Sequence, residues 1–280
     1  MKTATVKVTP AMALNWLNTC NTKNRRVNKK HVQNLANEMK SGRWTVNGET
    51  IAFDEDMVLI DGQHRLHAII QSGVSIETIV VYGIEDPRAF ITTGTLMLKR
   101  DAGQIASMMG LTKNVNMVVA ATRIISVWEA VNNYNEFIQK AISKSPDMFA
   151  ADEIAEMAVN YSDEISEIIA NYGKGVKLTG VPAIAIALVY IMQKVDPIAT
   201  HNTFSKLSDG IFSDRKDPVK HLYEAVIKQK YPIRNKRLYT AALIVKAFNA
   251  VSQGKEVGTL KWATEGQNTE KFPRIIGVDK

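Results

Sequence analysis

The chain has 280 residues, 45% hydrophobic and 22% charged, with one cysteine and a formal net charge of +7. That length suffices for one large or two modest globular domains. The basic balance favours nucleic acid or another polyanion as partner, although a plain basic surface would give the same sum. Cys20 alone excludes an intramolecular disulfide and a cysteine-rich zinc site. The opening Met1-Lys2-Thr3-Ala4-Thr5 has no apolar signal core. The longest apolar run, 181–192, is too short for a bilayer and contains Pro182. A cytoplasmic protein with no membrane partner is the expectation.

Residues 5–9 alternate apolar and polar and predict a strand that Pro10 ends, with a short helix over 11–18. Lys23, Arg25, Arg26, Lys29 and Lys30 then fall within eight residues. Asn28 is placed to cap the next helix, whose apolar face is Val32, Leu35, Ala36 and Met39 and whose stop is Gly42. Cations at a helix N-terminus oppose the dipole, so this group asks for an anion such as a DNA phosphate. The plain alternative is a solvated loop. Residues 49–53 and 57–60 read as a hairpin around the acidic turn Asp54-Glu55-Asp56. A sharp turn at Asp61-Gly62 follows, then a helix with Leu66, Ile69 and Ile70 at helical spacing, stopped by Gly73. Gln63, His64 and Arg65 occupy its first turn. Unpaired amides, a positive dipole end, a glycine that admits a ligand and an arginine fork make an anion site expected there. Asp61 is either a helix cap bonded to the His64 N–H or a carboxylate able to hold a divalent ion. A strand over 76–82 comes next. A short helix from Asp86-Pro87 to Phe90 and a helix ending at Gly110 complete this half.

Asp61-Gly62-Gln63-His64-Arg65, with its strand before and helix after, resembles the DGQHR signature of the ParB/sulfiredoxin-like superfamily. Asn24-Arg25-Arg26 followed by a helix ending at Gly42-Arg43-Trp44 resembles the upstream half of the same family, over about residues 5–110. The resemblance implies an α+β ParB/sulfiredoxin-like domain that binds a nucleotide or phosphate through Gly62, Gln63, His64 and Arg65. Related phage proteins carry a segment near D-T-G followed by a basic residue. Here Thr92 stands in place of the acid, and Thr93, Lys99 and Arg100 are a candidate second phosphate edge or a plain loop. Gln63 stands where sulfiredoxins have cysteine, which excludes their chemistry, since an amide is no nucleophile. It also stands where partition proteins have glutamate, which places hydrolysis in doubt but not binding.

From about residue 112 strand signals vanish, and the expectation is an all-α domain over 111–280 with a short C-terminal tail. One amphipathic helix runs through Val115, Val118, Val119, Thr122, Ile125 and Trp128. A second is expected over 151–172, ended by Gly173 and Gly175, and a buried central helix over 181–194. Asp196-Pro197 and Asp217-Pro218 open two more, an aspartate cap before proline being a start signal. The last helix is expected over 233–253, with Arg234, Lys236 and Arg237 again against the dipole. Thr259-Leu260-Lys261-Trp262 is expected to add a short strand to a packed end. Ala247-Phe248-Asn249-Ala250, Gly254 and Phe272-Pro273 resemble the helical half of phage-encoded ParB-like proteins.

His64 and His67 are three apart, but His31, His201 and His221 are scattered, so no metal site is expected. No P-loop, dinucleotide fingerprint, nucleophile elbow or H-E-x-x-H occurs. Three function classes follow. The first is a phage or mobile-element protein that binds DNA or a nucleoside triphosphate with Mg2+, its DNA contacts being Lys23, Arg25, Arg26, Lys29 and Lys30. The second is an enzyme, a phosphotransferase, DNA-base modifier or nuclease, with Asp61 and His64 as catalytic groups. The third is an interaction module, a homo-oligomer or the partner of another protein.

Overall fold

The computed structural model describes residues 1–22, 24, 26–86, 101–143, 148–227, 235–263 and 269–279. The chain is mixed α/β, with a small four-stranded sheet at the N-terminus and about twelve helices. It divides into two compact units, Met1–Leu111 and Thr112–Lys280.

In the first unit β1 (Lys2–Val8), β2 (Thr50–Asp54), β3 (Leu59–Asp61) and β4 (Ile76–Ile84) form a sheet of order β1-β4-β2-β3. β4 is antiparallel to β1 and parallel to β2, and β2 and β3 form the expected antiparallel hairpin. Its tip is closed by Asp54, whose Oδ1 accepts the N–H groups of Asp56 (3.0 Å) and Val58 (2.7 Å). The acidic trio is therefore a turn built around its own amides. Three helices, α1 (Pro10–Thr19), α2 (Lys29–Lys40) and α3 (Gln63–Ser72), supply the rest of the layer. α3 packs against both α1 and α2. Its apolar spacing buries Leu66, Ala68 and Ile69 together with Ile51, Phe53, Leu59 and Val80 from the strands and Val32, Ala36 and Met39 from α2. Trp16 meets Phe53 edge-on at 5.2 Å and Tyr82 stacks on Phe53 at 5.7 Å. α4 (Ala102–Met108) is capped by Asp101, which accepts the Gln104 N–H at 2.9 Å. Residues 87–90 of the helix expected to start at Asp86-Pro87 lie outside the described residues.

The second unit comprises α5 (Val115–Ala130), α6 (Tyr134–Phe137) with a π-turn over Ile138–Ser143, α7 (Ala151–Asn160), α8 (Ser162–Leu178), α9 (Pro182–Gln193), α10 (Pro197–Asp209), α11 (Pro218–Ile227) and α12 (Lys236–Ser252). α9 is central: every residue from Ile184 to Met192 is buried, and it packs on α5, α8, α10 and α12. Both Asp-Pro starts are as expected, Asp196 accepting the Ala199 N–H and Asp217 the Val219 N–H, each at 2.9 Å.

Two expectations are corrected. The helix over 151–172 is two helices meeting at Tyr161, and the second continues through Gly173 and Gly175 to Leu178. Gly175 is not a stop. A Cβ there would lie 2.6 Å from Ser208 Oγ and 3.1 Å from the Phe204 carbonyl, so glycine lets α8 and α10 touch. Residues 259–262 form no strand. Leu260 and Trp262 are instead buried from an irregular segment, with Trp262 meeting Phe272 at 5.7 Å.

Gly175→Ala should destabilise the protein by about 1–3 kcal/mol, because the contact is against backbone and cannot relax cheaply. Gly173→Ala, whose Cβ meets only Ile169 at 3.6 Å, should be neutral or gain up to about 1 kcal/mol of helix propensity. Urea denaturation of the two variants checks the contrast. Asp217 supplies a pH-dependent contribution. Burial pushes its carboxyl up, but the Lys206 ammonium at 2.8 Å and the amides of Ser213 and Val219 bring it below the ordinary value. A depressed carboxyl stabilises the fold above its unfolded pKa, about 3.9, and loses that contribution as pH falls through the folded value. Asp217→Asn should therefore lower stability at neutral pH and flatten the acid limb of a stability–pH profile.

Candidate functional site

The turn that joins β3 to α3 carries the motif. Gly62 is the N-cap of α3 with φ 102°, a left-handed conformation that only glycine adopts without strain. A Cβ on it would fall 3.0 Å from both Cα and Cγ1 of Ile51. The space that the glycine leaves is filled by β2, so the residue serves strand–turn packing.

Arg65 gives a correction. It is only 7% exposed, and its guanidinium is turned inward. Nη1 donates to Glu49 Oε2 at 2.5 Å, and Nη2 donates to the Thr50 carbonyl and to Asp61 Oδ2, the latter at 3.1 Å. Both terminal nitrogens are thus engaged by the start of β2 and the end of β3. The expected fork for a phosphate is a clamp on the scaffold. Asp61, offered as a cap or a catalytic carboxylate, has Oδ2 in this ion pair. Gln63 is 4% exposed and lies in the same buried turn.

His64 is half-buried and faces the basic segment. Its Nε2 accepts the Asn28 N–H at 3.0 Å, so the neutral ring carries its proton on Nδ1. Nε2 is not the atom that would donate to a phosphate. Asn28 also caps α2, its Oδ1 accepting the His31 N–H at 3.1 Å, and the His31 ring meets His64 edge-on at 5.4 Å. Upstream, Asn24 Nδ2 donates to the Leu59 carbonyl at 2.5 Å and the Leu59 N–H to the Cys20 carbonyl at 2.8 Å. Cys20, Asn24 and Asn28 are therefore fastened along β3 and onto the first turn of α3. The positive ends of α2 and α3 meet through one hydrogen bond. Arg26, Lys29 and Lys30 stand exposed there, with no ion pair among the described residues.

Beside them a groove of about 530 Å³ runs between α2 and α3, lined by Val27, Lys29, Val32, Gln33, His67, Ile70 and Gln71. Gln71 Nε2 donates to Gln33 Oε1 at 2.6 Å. Burial lowers the His67 pKa, which keeps this ring neutral near pH 7. Among the described residues no three His, Cys, Asp or Glu side chains gather to hold a metal ion. Lys23, Arg25, Thr93, Lys99 and Arg100 lie outside the described residues. Sequence reasoning missed Asn24 as a staple and Glu49 as the acid for Arg65. No local spacing signals either, because their partners are 35 and 16 residues away.

Arg65→Ala should cost on the order of 3 kcal/mol, since it strands two carboxylates and the Thr50 carbonyl around a vacated buried site. Lysine cannot reproduce the two-nitrogen geometry, so Arg65→Lys should recover little of the loss. Thermal and chemical denaturation of both variants, before any binding assay, checks this. No family model, curated protein or solved structure matches the chain.

Proposed function

We propose that the N-terminal unit is a ParB/sulfiredoxin-like module that binds phosphate groups, in a DNA-associated protein of phage or mobile-element type. The observation that carries this reading is the hydrogen bond from the Asn28 N–H to His64 Nε2. It holds the start of α2 against the start of α3, so exposed Arg26, Lys29 and Lys30 share one patch with two positive helix ends. Cations placed there repel both dipoles and one another, and an anion relieves that repulsion. Phosphate is the fitting anion, because several spaced cations track a phosphodiester backbone.

The roles differ from those of a fork-type site. Arg65 and Asp61 hold the turn, His64 and Asn24 position the loop, and the lysines and Arg26 contact phosphate. The adjoining groove shares Lys29 with this patch and has an apolar floor of Val27, Val32 and Ile70. Its volume suits a nucleobase and sugar. This favours a nucleoside triphosphate, with its Mg2+, as a small-molecule ligand of the same patch.

Fluorescence anisotropy with duplex oligonucleotides tests the reading. Lys29→Ala, Lys30→Ala should weaken binding about equally for all sequences. It should reduce the slope of log K against log salt by about one per lost phosphate contact. Unchanged affinity and slope in that variant would remove the reading. A thermal-shift series with ATP, CTP and GTP, with and without Mg2+, separates nucleotide from DNA, since a ligand of the folded form raises the midpoint.

A further inference from the structure

We propose that the N-terminal unit pairs with a second copy of itself through the free edge of β1, joining the two four-stranded sheets into one. The strand order places β1 and β3 at the two edges of the sheet. The two edges differ. β3 has three residues, and its Leu59 gives its N–H to the Cys20 carbonyl and its carbonyl to Asn24. β1 has seven residues and pairs with β4 along all of them without a register shift. Among the described residues no strand or loop pairs with its other side. Lys2, Thr3, Ala4, Thr5 and Lys7 are exposed.

A strand that pairs on one side turns every second N–H and C=O outward, where water alone meets them. A long, unbroken edge of this kind is a template for another strand. Proteins that keep such an edge single shorten it, bulge it, or place proline or a central charge on it. β1 has none of these devices. The first proline is Pro10, and the stretch from Thr3 to Val6 is uncharged. Thr3, Thr5, Val6 and Val8 are β-branched and favour extended chain.

The order of charges along β1 selects the occupant. A two-fold axis perpendicular to the sheet sets each residue opposite one of the same face, and pairing of the whole strand puts Thr5 on that axis. Lys7 then lies opposite Thr3 of the second copy, Lys2 opposite Val8, and Ala4 opposite Val6. No lysine faces a lysine. Val6 and Val8 lie on the core side of the sheet, and Val80 of β4 is the ladder partner of Ala4. The row of Val80, Ala4 and Val6 of the second copy therefore extends the apolar layer across the axis. On the outer side Glu77 is the ladder partner of Lys7 within the same chain and offsets its charge. A strand complementary to itself over its full length needs no foreign peptide. This inference is independent of the function proposed above.

Sedimentation equilibrium of the full chain across a concentration series tests the pairing. The unmodified chain should form dimers. Thr5→Lys and Thr5→Glu each place like charges face to face on the axis, and each alone should weaken the dimer about fivefold or more. An equimolar mixture of the two variants should restore association to the strength of the unmodified chain or above, because lysine then faces glutamate. Thr5 is exposed, so thermal midpoints of dilute, monomeric samples should not change, and recovery on mixing shows that both variants are folded. A chain that stays monomeric at every concentration leaves the edge to a strand of another protein and overturns the proposal. A dimer that both variants leave at full strength, or one lost in both without recovery on mixing, places the contact elsewhere and overturns it as well.

Discussion

The N-terminal unit depends on one buried guanidinium. Arg65 reaches from the first turn of α3 to Glu49 and Thr50 at the head of β2 and to Asp61 at the end of β3. The head of β2, the end of β3 and the first turn of α3 are thus tied together by two nitrogens. A buried ion pair gains little net energy over a well-packed apolar group, because each charge has left water. Its geometry is what counts here. A charge in that position tolerates one arrangement of its partners, so the β3–α3 turn has one register. Close packing of Gly62 on Ile51 fixes the same turn from the other side.

Because the turn is fixed, the loop before α2 has a surface on which to lie. Asn24 and Asn28 use the Leu59 carbonyl and the His64 ring as anchor points. The motif's chemistry is therefore displaced by one layer. Buried motif residues hold the scaffold, while the basic residues it positions face solvent.

Both units place cations at helix starts, against the usual preference for acids there. In the first unit the patch is open and spread along a loop; in the second it lines a small cleft. The net charge of +7 is thus unevenly spread along the chain.

The sequence by itself determined the local items. Strand alternation, the Asn28 cap, the Asp-Pro helix starts, Gly73 as a stop and the apolar stripe of α3 are set by interactions within four or five residues. Each is visible as spacing. Tertiary structure alone decided what the chemistry-bearing residues do. Arg65 looks the same in sequence whether it meets a phosphate or Glu49, since sixteen residues separate it from that acid. Gly175 looks like a helix stop until α10 is laid against it, and Asn28 looks like a cap until its amide finds His64. A long-range partner leaves no periodic trace along the chain. Only folding brings the two ends of such a contact within the few ångströms over which hydrogen bonds and steric exclusion act.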